Sequence, residues 1–146
     1  MITYYLAHPF DSRHILREWE LYLESTFGVE VVNPFYDIER QDIEAIDANR
    51  VGRYEVCPDA IVQRDLDAIS KVDGIIAIVD GSVSYGTIME IVYAYLYGKT
   101  IHIICTNGHI NHPWLRYHAD HLYESLAAFE AFNFPTDRDE AQCSVP

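Results

Sequence analysis

Positive charge is scarce in this chain. Lys71 and Lys99 are its lysines, and 10 basic residues stand against 23 acidic ones, for a formal net charge of −13. That balance repels nucleic acid and anionic membranes, so neither is an expected partner. It still permits a small anionic ligand held by a few local arginines. Cysteine is scarce as well. Cys57, Cys105 and Cys143 are odd in number and lack the spacing of a paired motif. Reduced thiols and a cytoplasmic setting follow, rather than a disulfide framework. No apolar run is long enough to span a bilayer, and no basic segment precedes the opening apolar stretch. Neither a membrane span nor a secretory leader is therefore expected. The helical two-histidine zinc motif with its glutamate is also missing. His118 and His121 are three apart, but no clear third ligand accompanies them, so no metal site and no cofactor are expected.

What is present suits one folded domain. The 146 residues, 49% of them hydrophobic, are enough for a full core. Strand-like and helix-like runs alternate. Residues 2–7 read as a first strand. Residues 13–26 read as a helix with Ile15, Leu16, Trp19, Leu23 and Phe27 on its apolar stripe, and Gly28 stops it. Residues 29–32 form a second strand, ended by Asn33-Pro34. Residues 35–59 are charged and weakly periodic, and read as a long binding loop or lid with a partial helix at 41–48. A helix at 60–70 with Ile61, Leu66 and Ile69 inward leads to a third strand at 73–79. After a polar loop, Ile88, Ile91, Val92 and Tyr95 fall at helical spacing. A fourth strand at 100–105, a loop at 106–113 and a last helix at 118–132 with Leu122, Leu126 and Phe129 on one side complete the pattern. The expected domain covers 1–134, with a tail at 135–146.

Such alternation predicts an α/β fold. The expected architecture is a flavodoxin/Rossmann-like, doubly wound, mainly parallel sheet of four to five strands, with strand one central. In that arrangement the loops after Ala7, Val32, Val79 and Cys105 gather at one sheet edge, where such folds bind ligands.

Several residues at that edge carry chemistry or mere structure. Glu90, expected in the first helical turn, fits a capping box with Thr87. Alternatively its carboxylate attacks a sugar's anomeric carbon and forms a covalent glycosyl-enzyme. Asp65 and Asp67 flank Leu66, and periodicity does not choose between them. Ser84 and Gly86 either bring backbone amides to an anion at a helix N-terminus or serve as cap and turn. Tyr5 is core or site, and His8 is the more exposed of the two.

Taken together these pieces resemble the nucleoside 2-deoxyribosyltransferase family, including its branch of 5′-nucleotide N-glycosidases. Tyr5-Leu6-Ala7-His8-Pro9-Phe10 resembles the opening strand and loop. Asn33-Pro34-Phe35-Tyr36-Asp37 resembles the segment that closes over the base. Arg64-Asp65-Leu66 and Val72-Asp73-Gly74-Ile75-Ile76-Ala77 resemble the helix with the acid/base aspartate and the strand after it. Gly86-Thr87-Ile88-Met89-Glu90-Ile91-Val92-Tyr93-Ala94 resembles the segment with the nucleophile. The resemblance implies Glu90 as nucleophile, Asp65 as the acid that protonates the leaving base, and Tyr5 as the group that orients Glu90. It places His8, Phe10, Phe35, Asp37, Ser84 and Gly86 against substrate. Asn111 and His118 are candidates for the part of the site that family transferases complete from a second subunit, so a homo-oligomer is expected.

One departure sets the expected substrate. Transferases acting on free nucleosides tend to carry an aspartate six residues before the nucleophile, where this chain has Ser84. A hydroxyl can donate to a phosphate that a carboxylate would repel. The implied activity is hydrolysis of a (2′-deoxy)nucleoside 5′-monophosphate, with Arg13, Arg17 or an arginine of the 35–59 loop supplying positive charge. Base exchange between nucleosides is the alternative. A non-catalytic nucleotide-binding module is a further one, since fold alone does not assign function.

Overall fold

A computed structural model describes residues 1–37, 58–81 and 84–136. Five parallel strands form its sheet: β1 (Thr3–Ala7), β2 (Glu30–Val32), β3 (Gly74–Val79), β4 (Thr100–Cys105) and β5 (His121–Tyr123). Their order is β2-β1-β3-β4-β5, the flavodoxin-like order. β1 is interior, as expected, and β3 takes the centre. The strands after β1 and β2 extend the sheet toward opposite edges, so the ends of β1 and β3 form the switch point where open α/β folds bind ligands.

Helices cover both faces. α1 (Arg13–Phe27) follows a short 3-10 turn at Phe10–Ser12. With α5 (Leu126–Asn133) it closes one face over Tyr4, Leu6, Val31, Ile76, Ile78 and Ile104. α2 (Pro58–Lys71), α3 (Tyr85–Leu96) and α4 (Pro113–His118) close the other over Tyr5, Ala7, Ile75, Ala77, Ile101 and Ile103. Along β1 the residues alternate between the two cores, which is the two-residue period of a strand. No helix among the described residues is long and apolar enough to cross a membrane.

The stripe on α1 departs from expectation. Ile15 is 73% exposed, and Glu20 is buried among Leu16, Trp19 and Leu23 instead. On α3, Ile88 and Tyr95 are exposed, and the buried line is Thr87, Ile91 and Ala94. That shift of one position turns α3 so that Ala94 packs in the core with the sheet.

The predicted helix at 118–132 is corrected. His112 accepts from Trp114 N and Pro113 opens α4, which ends at Ala119 in an extended conformation. Asp120 Oδ2 then accepts from Ile101 N at 2.7 Å, and this draws 121–123 alongside β4. Ser125 caps α5 by accepting from Ala128 N at 3.0 Å. Leu122 packs with one core and Leu126 and Phe129 with the other, so the three never shared a face. The predicted helix at 41–48 and most of the expected tail lie outside the described residues.

Gly74 of β3 lies against Thr100 of β4 with no room for a side chain. A Cβ there would lie 2.9 Å from the backbone oxygen of Thr100. Neither strand can retreat without breaking ladder bonds. Gly74→Ala is expected to lower stability by about 1–3 kcal/mol, read as a fall in thermal midpoint with the native circular dichroism spectrum retained.

Candidate active site

Two groups of predicted residues assemble at or near the switch point. The first lies on the α2–α3 side of the sheet. Tyr5 is wholly enclosed beside Ile69, Val72, Ile91 and Ala94, and its Oη is shielded from solvent. Asp65 is half-buried on α2, one turn before the fully buried Ile69, so the two share a flank of the helix. Asp67 is exposed and bonds Lys71 Nζ at 2.6 Å. The structure therefore separates two aspartates that periodicity left equal: Asp67 serves an i,i+4 surface pair, and Asp65 faces inward.

Glu90 is half-buried on α3, with Oε2 shielded from solvent. Its carboxylate folds back over the preceding turn, where an added Cβ on Gly86 would sit 3.4 Å from Oε1. Glycine at 86 leaves that oxygen room. Ile88 and Val92 line a cavity on the α4 side of α3. At about 100° per residue Glu90 points to the opposite flank, toward α2, against which α3 packs.

The expected capping box is corrected. Ser84 caps α3: its Oγ accepts from Thr87 N at 3.3 Å and lies 2.7 Å from Thr87 Oγ1. Glu90 stands in the second turn, three residues beyond the position a capping glutamate takes. Ser84 also lines a cavity of about 320 Å³ with Asp80, Thr87 and Asn107. Asp80 Oδ2 accepts from Ser12 Oγ at 2.6 Å, which ties the loop after β1 to the end of β3.

The second group surrounds the ends of β1 and β2. His8 is only 4% exposed, nearly as enclosed as Tyr5. Its Nδ1 lies 2.9 Å from Pro9 O and its Nε2 lies 3.1 Å from Asn33 Oδ1. The Phe35 ring packs 4.9 Å from the His8 ring and 5.4 Å from Phe10. Arg13 lies over Phe10 and Arg17 over Tyr36. Asp37 accepts from Arg17 Nη1 at 2.9 Å and from Asn33 N at 2.7 Å. Asp37 further lines a cavity of about 590 Å³ with Arg64 and Asp67 of α2.

Asn111 and His118 stand apart. Asn111 is exposed on the loop before α4. His118 is buried, and its Nδ1 donates to Trp114 O at 2.7 Å. It lines a largely apolar cavity of about 400 Å³ between α3 and α4, on the flank away from Glu90. Within one chain the fold does not bring either residue to Glu90.

Sequence reasoning passed over Glu20 and Asn33. Glu20 bonds Arg17 Nη1 and accepts from Asn33 Nδ2 at 2.8 Å. Burial pushes its carboxyl up to about 7; the hydrogen bonds from Asn33 and Arg17 oppose the rise, and Asp37 adds to it. The signal was available: Glu20 follows Leu16 by four and precedes Leu23 by three, which puts a carboxylate on the apolar stripe.

No protein-family model matches the sequence, and no curated protein does. Solved structures do. A 2-deoxyribosyltransferase from the psychrotolerant bacterium Bacillus psychrosaccharolyticus superposes with a TM-score of 0.66 at 20% identity, over 90% of this chain and 93% of that one. A 2-deoxyribosyltransferase from Leishmania mexicana superposes with a TM-score of 0.60 at 19% identity, over 90% and 97%. A CMP N-glycosidase from Clostridium botulinum gives 0.55 at 22% identity, over 87% and 93%. This chain shares over nearly its whole length the fold of two 2-deoxyribosyltransferases and a CMP N-glycosidase.

Proposed function

We propose that this chain is a member of the nucleoside 2-deoxyribosyltransferase family and breaks N-glycosidic bonds by way of a glycosyl-Glu90 intermediate. The observation that carries the reading is the placement of Glu90. Its carboxylate lies off the capping position, over Gly86, on the flank of α3 that meets the helix bearing Asp65. In the first step a Glu90 oxygen attacks C1′ as the C1′–N bond breaks, and Asp65 gives its proton to the departing base nitrogen. In the second step an incoming nucleophile attacks C1′, Asp65 takes up the proton, and Glu90 leaves. Positive charge on the sugar peaks in the transition state of each step, which is oxocarbenium-like and is stabilised by the adjacent carboxylate. Tyr5, enclosed beneath the two helices, supports Glu90.

Base exchange leads hydrolysis in this proposal, which reverses the order drawn from the sequence. Two of the three fold relatives named above are transferases. The serine that argued for a phosphate caps α3 by accepting from Thr87 N, and it shares its cavity with the Asp80 carboxylate, which would repel one. Hydrolysis of a 5′-monophosphate is the second reading, favoured by the fold relative that is a CMP N-glycosidase. The proposed setting is cytoplasmic, with a small nucleoside or nucleotide as substrate. A homo-oligomer is proposed from the aromatic face of α3: Tyr93 and Tyr97 are exposed together near the flank of Glu90.

Offering a deoxynucleoside together with a foreign base, and separately the common nucleoside 5′-monophosphates, tests the reading by chromatography. A new nucleoside identifies transfer. Free base with sugar or sugar phosphate identifies hydrolysis. A folded protein that releases no base from any of them overturns it.

A further inference from the structure

We infer that Glu20 and Asn33 are positioning residues, which set the 33–37 turn through a buried bridge running from α1 to His8 at the end of β1. The kinetic consequence rests on the function proposed above, whereas the bridge and its titration stand without it. Asn33 is the hub. Its Nδ2 donates to Glu20 Oε2 at 2.8 Å, and its Oδ1 accepts from Phe35 N at 2.9 Å. Its backbone oxygen accepts from Tyr36 N at 3.1 Å and Asp37 N at 2.9 Å, and its own N donates to Asp37 Oδ2 at 2.7 Å. A carboxylate accepts and a backbone N–H donates, so these two partners leave the side-chain amide one orientation. Oδ1 is thereby turned to His8 Nε2 at 3.1 Å, while Nδ1 of the same ring faces Pro9 O at 2.9 Å. Both ring nitrogens face acceptors. The bond to Asn33 Oδ1 places a hydrogen on Nε2, since an amide oxygen only accepts.

Arg17 closes the device from outside, because its Nη1 serves Glu20 and Asp37 together. Among the described residues, the charged groups facing Glu20 are thus Arg17 on its own helix and Asp37 on the turn, with the titratable His8 beyond Asn33 at the end of β1. From α5, Glu130 is engaged by Trp19 Nε1 at 2.9 Å. Ionised Glu20 accepts from Arg17 and Asn33 at once. A proton on either oxygen sets a donor against a donor, and one of the two bonds is given up. Burial brings this changeover to about neutral pH. The turn that carries Phe35 and Asp37 is therefore held most firmly above neutrality.

The test follows the Asn33 side-chain amide by NMR across the neutral range, with hydrogen exchange at Phe35 and Asp37 N–H. In the wild type the resonance is expected to titrate near neutral pH, with faster exchange at Phe35 on the acid side. Glu20→Gln is expected to remove the titration. Arg17→Gln, a change at a partly exposed position, is expected to move it to higher pH, since Arg17 favours the ionised form. In kinetics, KM should fall about three- to tenfold as pH rises through neutrality, the effect of one hydrogen bond. No matching limb is expected in kcat. A flat Asn33 resonance in the wild type, or an unmoved midpoint in Arg17→Gln, overturns the inference. Absence of turnover on every substrate overturns the proposed function and leaves the NMR result to decide this one.

Discussion

Glu90→Gln is expected to leave a folded protein that binds nucleoside and turns almost none of it over. Glutamine keeps the length and shape of glutamate, so it fits over Gly86, where a Cβ would stand 3.4 Å from the Glu90 Oε1 position. It cannot supply the anionic oxygen that bonds C1′. Loss of a catalytic nucleophile costs on the order of 10³-fold or more in kcat. A capping role predicts something else: a small stability loss of under about 1 kcal/mol and no kinetic effect. The structure already weakens that role, because Ser84 Oγ serves Thr87 N and Glu90 lies a turn further on. Rapid quench followed by mass spectrometry should find the wild-type chain heavier by one sugar unit and the variant unchanged. Binding by calorimetry should be equal within a few fold. Turnover within tenfold of wild type in a folded Glu90→Gln protein would remove the proposed nucleophile.

The sheet was legible because its strands are short runs of branched apolar residues, each closed by a polar loop. Ile75, Ile76, Ala77 and Ile78 are all buried, as a strand covered on both faces requires. Periodicity left Asp65 as one of two aspartates and the family resemblance chose it; the neighbourhood of Ile69 and the Asp67–Lys71 pair tell the two apart in the fold. The last third was misread because periodicity over 118–132 sums residues from two sheet faces. Pro113 and Asp120 act there through a backbone break and a cross-strand bond to Ile101, and neither leaves a periodic trace. Ile15 and Glu20 show the same limit on α1. Hydrophobicity assigned the stripe, while the partners Arg17 and Asn33 decided which side chain was buried. A polar network drawn from three elements is invisible to any pattern within one.

Asp65→Asn is expected to be the second most damaging change, and its effect should depend on the leaving group. An asparagine amide cannot give a proton to the departing base, so with ordinary bases kcat/KM is expected to fall about 10²–10⁴-fold, the range of a lost general acid. A nucleoside whose base leaves as a stable anion needs no proton, and its glycosylation rate should be nearly restored. That rescue separates an acid from a residue that merely packs, since a packing defect slows every substrate alike. Asp67→Asn serves as the control on the same helix. Its carboxylate is exposed and paired with Lys71, so its removal should leave both classes of substrate at wild-type rates with at most about 0.5 kcal/mol of stability lost. Equal losses in Asp65→Asn for good and poor leaving groups would take from Asp65 the proton that the departing base receives.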